Sequence, residues 1–179
     1  MFDVTHHISA VARTLGTRTL DAGEARVMTL ARTYPTDLAD LWDACTDARR
    51  LARWFGAVTG DLRLGGRFEV QDNAGGTVQQ CDPPHGFAAT WEFGGAVSWI
   101  TVSLRVVDAD QVRLELEHVA HVADEFWTEY GPGATGIGWD LGLLGLARHL
   151  DDPSVTVDEA EFGASPEGRR FVAAAGDAW

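Results

Sequence analysis

VSWITVSLRVVDADQVRLELEHV, residues 97–119, alternates apolar and polar side chains twice, on either side of an Asp-Ala-Asp turn. Ile100, Val102, Leu104 and Val106 share one face of the first run, and Val112, Leu114, Leu116 and His118 share one face of the second. A period of two with a short polar turn predicts an antiparallel pair that is buried on one side and wet on the other. The same period continues upstream. Phe87, Ala89, Trp91 and Phe93 fall on one face, a strand over 76–81 precedes them, and Phe68 and Val70 lie on another at 67–71. Downstream, residues 134–150 change to a helical spacing. The meander's apolar face needs a cover, and this helix is the only predicted element of sufficient length.

The first half of the chain completes the order. Residues 24–34 read as a strand ended by Pro35, with Thr36 as the cap of a helix running to Ala44. A second short helix is expected over Asp47–Trp54. Val4, Ile8, Val11 and Leu15 are spaced 4, 3 and 4 apart, which predicts an amphipathic helical extension over residues 1–23. Residues 24–150 form the main domain in this reading. Residues 151–179 form an acidic tail with a short helix starting at Ser165-Pro166-Glu167. The fold class is α+β, a curved antiparallel sheet wrapped around a long C-terminal helix.

Composition removes several functions. With 45% hydrophobic residues the chain can bury a core without metal or disulfide staples. A net charge of −13 opposes binding to nucleic acid or to an anionic membrane, and no apolar run is long enough to span a bilayer. All fourteen basic residues are arginine, which excludes Schiff-base chemistry and the lysines of phosphate-binding loops and kinases. Cys45 and Cys81 lie 36 residues apart and form no metal-binding pair, so a reducing cytoplasm is expected, and the first twenty residues lack the apolar run of a secretory signal. Gly131-Pro-Gly133-Ala-Thr-Gly136 matches a dinucleotide-binding pattern, yet no buried strand precedes it, so it reads as a flexible lead into the last helix. No Gly-x-Ser-x-Gly elbow is present. Glu115 and Glu117 alternate with His118 on a strand, so these three cannot converge on one metal. No cofactor is expected.

Three segments carry a family resemblance: Thr46–Phe55 (TDARRLARWF), Asp61–Phe68 (DLRLGGRF) and Cys81–Phe93 (CDPPHGFAATWEF). With Leu114–His118 (LELEH) and Gly138–Leu150 (GWDLGLLGLARHL), they resemble the Activator of Hsp90 ATPase homologue 1-like family over about residues 24–150. That family lies in the START/Bet v 1-like superfamily, grouped with polyketide cyclases, and has the helix-grip fold. The resemblance implies a hydrophobic cavity between the sheet and the long helix, but no universal catalytic set. It does not imply chaperone work, since the eukaryotic co-chaperones carry a further N-terminal domain for which 179 residues leave no room.

The expected activity is binding of a small apolar or aromatic metabolite or lipid. Trp54, Phe55, Phe68, Trp91, Ile100, Val102, Leu116, Trp127, Trp139 and Leu143 would form the wall and His118 a polar anchor. A cyclase-like enzyme using His118 and an Hsp90-type interaction protein are the alternatives. The last helix is apolar on two sides: Trp139, Leu143, Leu146 and Leu150 on one, Ile137, Leu141 and Leu144 on the other. The second stripe is expected to be covered by the terminal extensions, in cis or across a homodimer.

Overall fold

The computed structural model describes residues 2–154, 156 and 158–179. Eight strands form one antiparallel sheet: β1 Val11–Leu20, β2 Gly23–Tyr34, β3 Val58–Gly60, β4 Arg67–Val70, β5 Gly75–Asp82, β6 Gly86–Phe93, β7 Ala96–Asp108 and β8 Gln111–Ala120. Their order across the sheet is β1-β2-β8-β7-β6-β5-β4-β3. The helices are α1 Val4–Ser9, α2 Leu38–Thr46, α3 Ala48–Trp54, α4 Asp124–Tyr130, α5 Gly133–Asp151, α6 Glu159–Ala164 and α7 Pro166–Ala178.

The alternation in residues 97–119 becomes cross-strand rows. Leu30, Leu116, Val102 and Phe87 pair in one row, and Met28, His118, Ile100 and Ala89 in the next. This face is concave and packs on α2, α3 and α5, so the main core lies between sheet and α5. Asp37, rather than Thr36, caps α2, its carboxylate accepting from the Asp40 N–H. Asp47 caps α3 in the same way through Arg49 and Arg50.

The helix expected over residues 1–23 is confined to Val4–Ser9. From Val11 the chain is strand β1, paired residue by residue with β2 as far as Leu20↔Gly23. The apolar spacing of 4, 3 and 4 is ambiguous once Thr14, Thr17 and Thr19 make the second half a good strand former. Leu15 is exposed there instead of packing in a helical stripe.

The second stripe of α5 is covered in cis. Leu144, Phe171 and Ala175 form a separate buried cluster with Phe2, Val4, Ile8, Ile137, Leu141 and Phe162 packed against it. Both chain ends therefore close over the back of α5, and that stripe needs no second subunit. Gly145 of α5 requires its lack of a side chain, because a Cβ there would lie 2.6 Å from the Trp54 carbonyl oxygen. Its absence lets the end of α3 approach α5. Among the described residues no helix is long and apolar enough to cross a membrane.

Candidate functional site

Between the concave face and α5 lies a cavity of about 160 Å³. Helix α2 supplies Trp42, Cys45 and Thr46 from one face, and α3 supplies Leu51, Trp54 and Phe55 from another. Both sets have i, i+3, i+4 spacing. Helix α5 contributes Trp139, Gly142, Leu143 and Leu146, and the sheet contributes Phe68, Val70, Val78, Cys81, Phe87, Ala89, Trp91, Ile100, Val102, Leu114 and Leu116, with Val58 and Leu62 beside them. None of these side chains is charged.

Aromatic rings dominate one end. Trp91 lies 5.2 Å from Trp139 between centroids, 6.3 Å from Phe55 and 6.4 Å from Phe68. Phe55 and Trp139 are nearly parallel, with an interplanar angle of 8°. Nine of the eleven residues expected at the wall line this cavity: Trp54, Phe55, Phe68, Trp91, Ile100, Val102, Leu116, Trp139 and Leu143.

Trp127 and His118 do not. Trp127 sits on α4, outside the cavity, with the Arg26 guanidinium 4.9 Å from its ring centroid, and Arg26 also pairs with Asp124. The chain leaves the sheet after Ala120, and α4 meets β2 through Arg26, so this aromatic packs on an arginine. His118 is buried on the concave face, where the Trp139 ring packs edge to face against it at 5.7 Å between centroids. The Trp139 indole N–H donates to His118 Nδ1 at 2.9 Å, and His118 Nε2 is 2.8 Å from Ser98 Oγ. An indole can only donate, so Nδ1 accepts and Nε2 carries the proton toward Ser98. Ser98 in turn donates to the Trp91 carbonyl oxygen at 3.0 Å. Burial lowers the His118 pKa to about 4, so the ring is neutral at ordinary pH. His118 thus ties together two aromatic members of the wall.

The remaining candidate acid–base groups are dispersed. Glu117 faces away from the cavity in a bidentate pair with Arg18, and His121 lies against the Glu24 carbonyl. Among the described residues no three His, Cys, Asp or Glu side chains are grouped to hold a metal. Burial pushes the Cys45 thiol up to about 12. Sequence reading missed Trp42, Phe87 and Cys81 as wall residues. Trp42 and Cys45 share a helical face and Phe87 shares a strand face with Trp91, so that signal was present. Cys81 gave none, because the register shifts between Val78 and Gln80 and this irregularity brings Cys81 opposite Phe87.

Comparison with known proteins places the chain. Residues 35–151 match the family described as Activator of Hsp90 ATPase homolog 1-like protein. The chain belongs to that family, and its fold is the helix-grip fold of the Bet v 1-like superfamily. CalU16 from Micromonospora echinospora is 34% identical in its crystal structure, with 95% of this chain and 96% of that chain covered and a TM-score of 0.74. Its solution structure gives 33% identity, coverage of 95% and 93%, and a TM-score of 0.77. PFC0360w, an HSP90 activator from Plasmodium falciparum, is 25% identical over 55% of this chain and 75% of that chain, with a TM-score of 0.50. DynU16, a putative protein in the dynemicin biosynthetic locus, shares the fold at 20% identity, covering 71% and 48% with a TM-score of 0.59. No curated protein matches.

Proposed function

We propose that this chain binds a small apolar or aromatic molecule in the cavity between the sheet and α5. The observation that carries this reading is the wall itself: a continuous apolar and aromatic lining without a charged side chain. Its size suits a compact ligand, since an engineered apolar cavity of about 150 Å³ stays dry and takes up benzene. A cyclase-like reaction through His118 has less support, because both ring nitrogens are engaged and His118 is not among the residues that line the cavity. The free thiols Cys45 and Cys81 fit a reducing compartment such as the cytoplasm.

Native mass spectrometry of the purified chain tests for a retained ligand, and toluene serves as a defined probe. Toluene raises the melting temperature of the wild-type chain under this reading. Gly142→Leu abolishes the shift, because a Cβ at Gly142 points toward Phe55 at 3.8 Å and a longer side chain fills the space. Equal stabilisation of both proteins would refute cavity binding. A second reading, interaction with Hsp90, is favoured by the family description and by the likeness to the Plasmodium activator. Purified Hsp90 with measured ATPase activity tests it directly.

A further inference from the structure

The polar atoms of the cavity wall restrict the ligand more narrowly than its apolar surface does. Four indoles line the space: Trp42, Trp54, Trp91 and Trp139. Two have their N–H already used. Trp54 donates to the Ala44 carbonyl at 3.1 Å and Trp139 to His118 at 2.9 Å. The hydroxyl of Thr46, the only one in the lining, donates to the Trp42 carbonyl at 2.7 Å. The indole N–H groups of Trp42 and Trp91 have no acceptor among the described residues, and neither is a fully buried orphan. An indole nitrogen cannot accept, so two lining residues carry an N–H donor without a protein partner, and the lining holds no carboxylate or cation.

Resting on the binding reading above, we infer that the ligand is a neutral aromatic of one or two rings carrying a hydrogen-bond acceptor, such as an aryl ketone, which takes the N–H of Trp42 or Trp91. A carboxylate or an amine would enter an uncharged, low-dielectric wall and forfeit its hydration without a counter-charge. A purely apolar ring would fill the space and offer neither N–H an acceptor. A ketone is the case that meets every condition, because it is uncharged, planar and only accepts.

Cumene, acetophenone and benzoate have nearly the same shape and separate these cases. Titrated into the ¹⁵N-labelled wild-type chain, acetophenone moves one indole N–H resonance downfield, identified by its absence in Trp42→Phe or Trp91→Phe. Cumene does not move it in this way. The matching Trp→Phe variant weakens acetophenone about three- to tenfold more than it weakens cumene, the excess being the size of one net hydrogen bond. Benzoate at pH 7 shows no saturable binding. Saturable benzoate binding as tight as that of acetophenone, or acetophenone binding with no indole N–H shift, overturns the inference while cavity binding stands. If neither cumene nor acetophenone binds, the cavity reading itself falls.

Discussion

The indole of Trp139 and the imidazole of His118 meet edge to face, 85° apart, with the Trp139 N–H donating to His118 Nδ1 at 2.9 Å. Because His118 Nε2–H donates to Ser98 Oγ and the Ser98 hydroxyl donates to the Trp91 carbonyl, one neutral histidine holds a helix residue and a strand residue in the cavity wall. His118→Ala leaves the Trp139 N–H without an acceptor, at a cost of about 1–3 kcal/mol if it stays dry, while the Ser98 hydroxyl keeps its bond to the Trp91 carbonyl. Glutamine can accept with its oxygen and donate with its nitrogen. His118→Gln is therefore expected to retain more of the urea midpoint than His118→Ala. Equal losses in the two variants would show that volume, and not the hydrogen bonds, matters at this position.

The same geometry sets a pH dependence. His118 has a folded pKa of about 4 against 6.5 for the free side chain. Between these values the unfolded chain binds the proton and the folded chain does not, so stability is full above about pH 6.5 and falls as the pH drops toward 4. The full shift corresponds to roughly 3 kcal/mol. His7, lowered to about 4 by burial and the nearby Arg32 guanidinium, adds in the same direction, but it is half-buried and contributes less. Urea midpoints at pH 7 and 4.5 test this. The difference shrinks in His118→Gln, and an unchanged difference would remove His118 as its source.

Much of this architecture is readable from periodicity, and the failures have identifiable causes. Residues 97–119 carry strict alternation because one face is dry, and the observed rows follow it through Leu116 and His118. The two stripes of α5 were legible for the same reason, and they anticipated a cover from both chain ends. Strand β1 was not legible, since its mostly exposed residues carry no burial pattern to tell strand from helix. Cys81 was hidden by the shifted register in β5. Trp127 shows the limit of composition: an aromatic residue can serve an arginine as well as a core, and only the path of α4 distinguishes them.

The two thiols should differ in reactivity. Cys45 is buried and its thiol is pushed up to about 12, so almost none is thiolate at pH 8. Cys81 is half-buried on β5. Iodoacetamide at pH 8 is expected to give a single adduct on Cys81 in the folded protein, with Cys45 reacting only after unfolding. Mass spectrometry of the digested protein locates the adduct, and rapid labelling of Cys45 would contradict its placement in the core.

Asp140 is fully buried beside Trp139 and accepts from Arg13 at 3.2 and 2.7 Å and from the Trp179 indole at 2.8 Å. It joins β1, α5 and the last residue of the chain. Asp140→Asn leaves the Arg13 charge buried without its counter-charge, which costs about 3–5 kcal/mol. The double variant Arg13→Met/Asp140→Leu removes both charges and is expected to recover most of that loss. Chemical denaturation of the three proteins checks the order. A double variant no more stable than Asp140→Asn would mean that the pair contributes more than its charges.

Trp179 also requires a glycine beneath it. A Cβ built on Gly136 would lie 2.3 Å from the Trp179 ring, closer than real side chains approach. Gly136→Ala must therefore either lift the indole off α5, breaking its bond to Asp140, or push the helix away from α7. In an exposed helix the same change is worth up to about 1 kcal/mol of stabilisation, because alanine is the better helix former. The two effects have opposite signs and can be separated by a cycle. In the wild-type background Gly136→Ala is expected to destabilise. In the Trp179→Ala background, where the clash is gone, it is expected to be neutral or stabilising. A coupling free energy above about 0.5 kcal/mol marks residues in contact. Measured by urea denaturation, a coupling near zero would show that Trp179 does not rest on Gly136 in solution, and that the C-terminal residue is not part of the cover over α5.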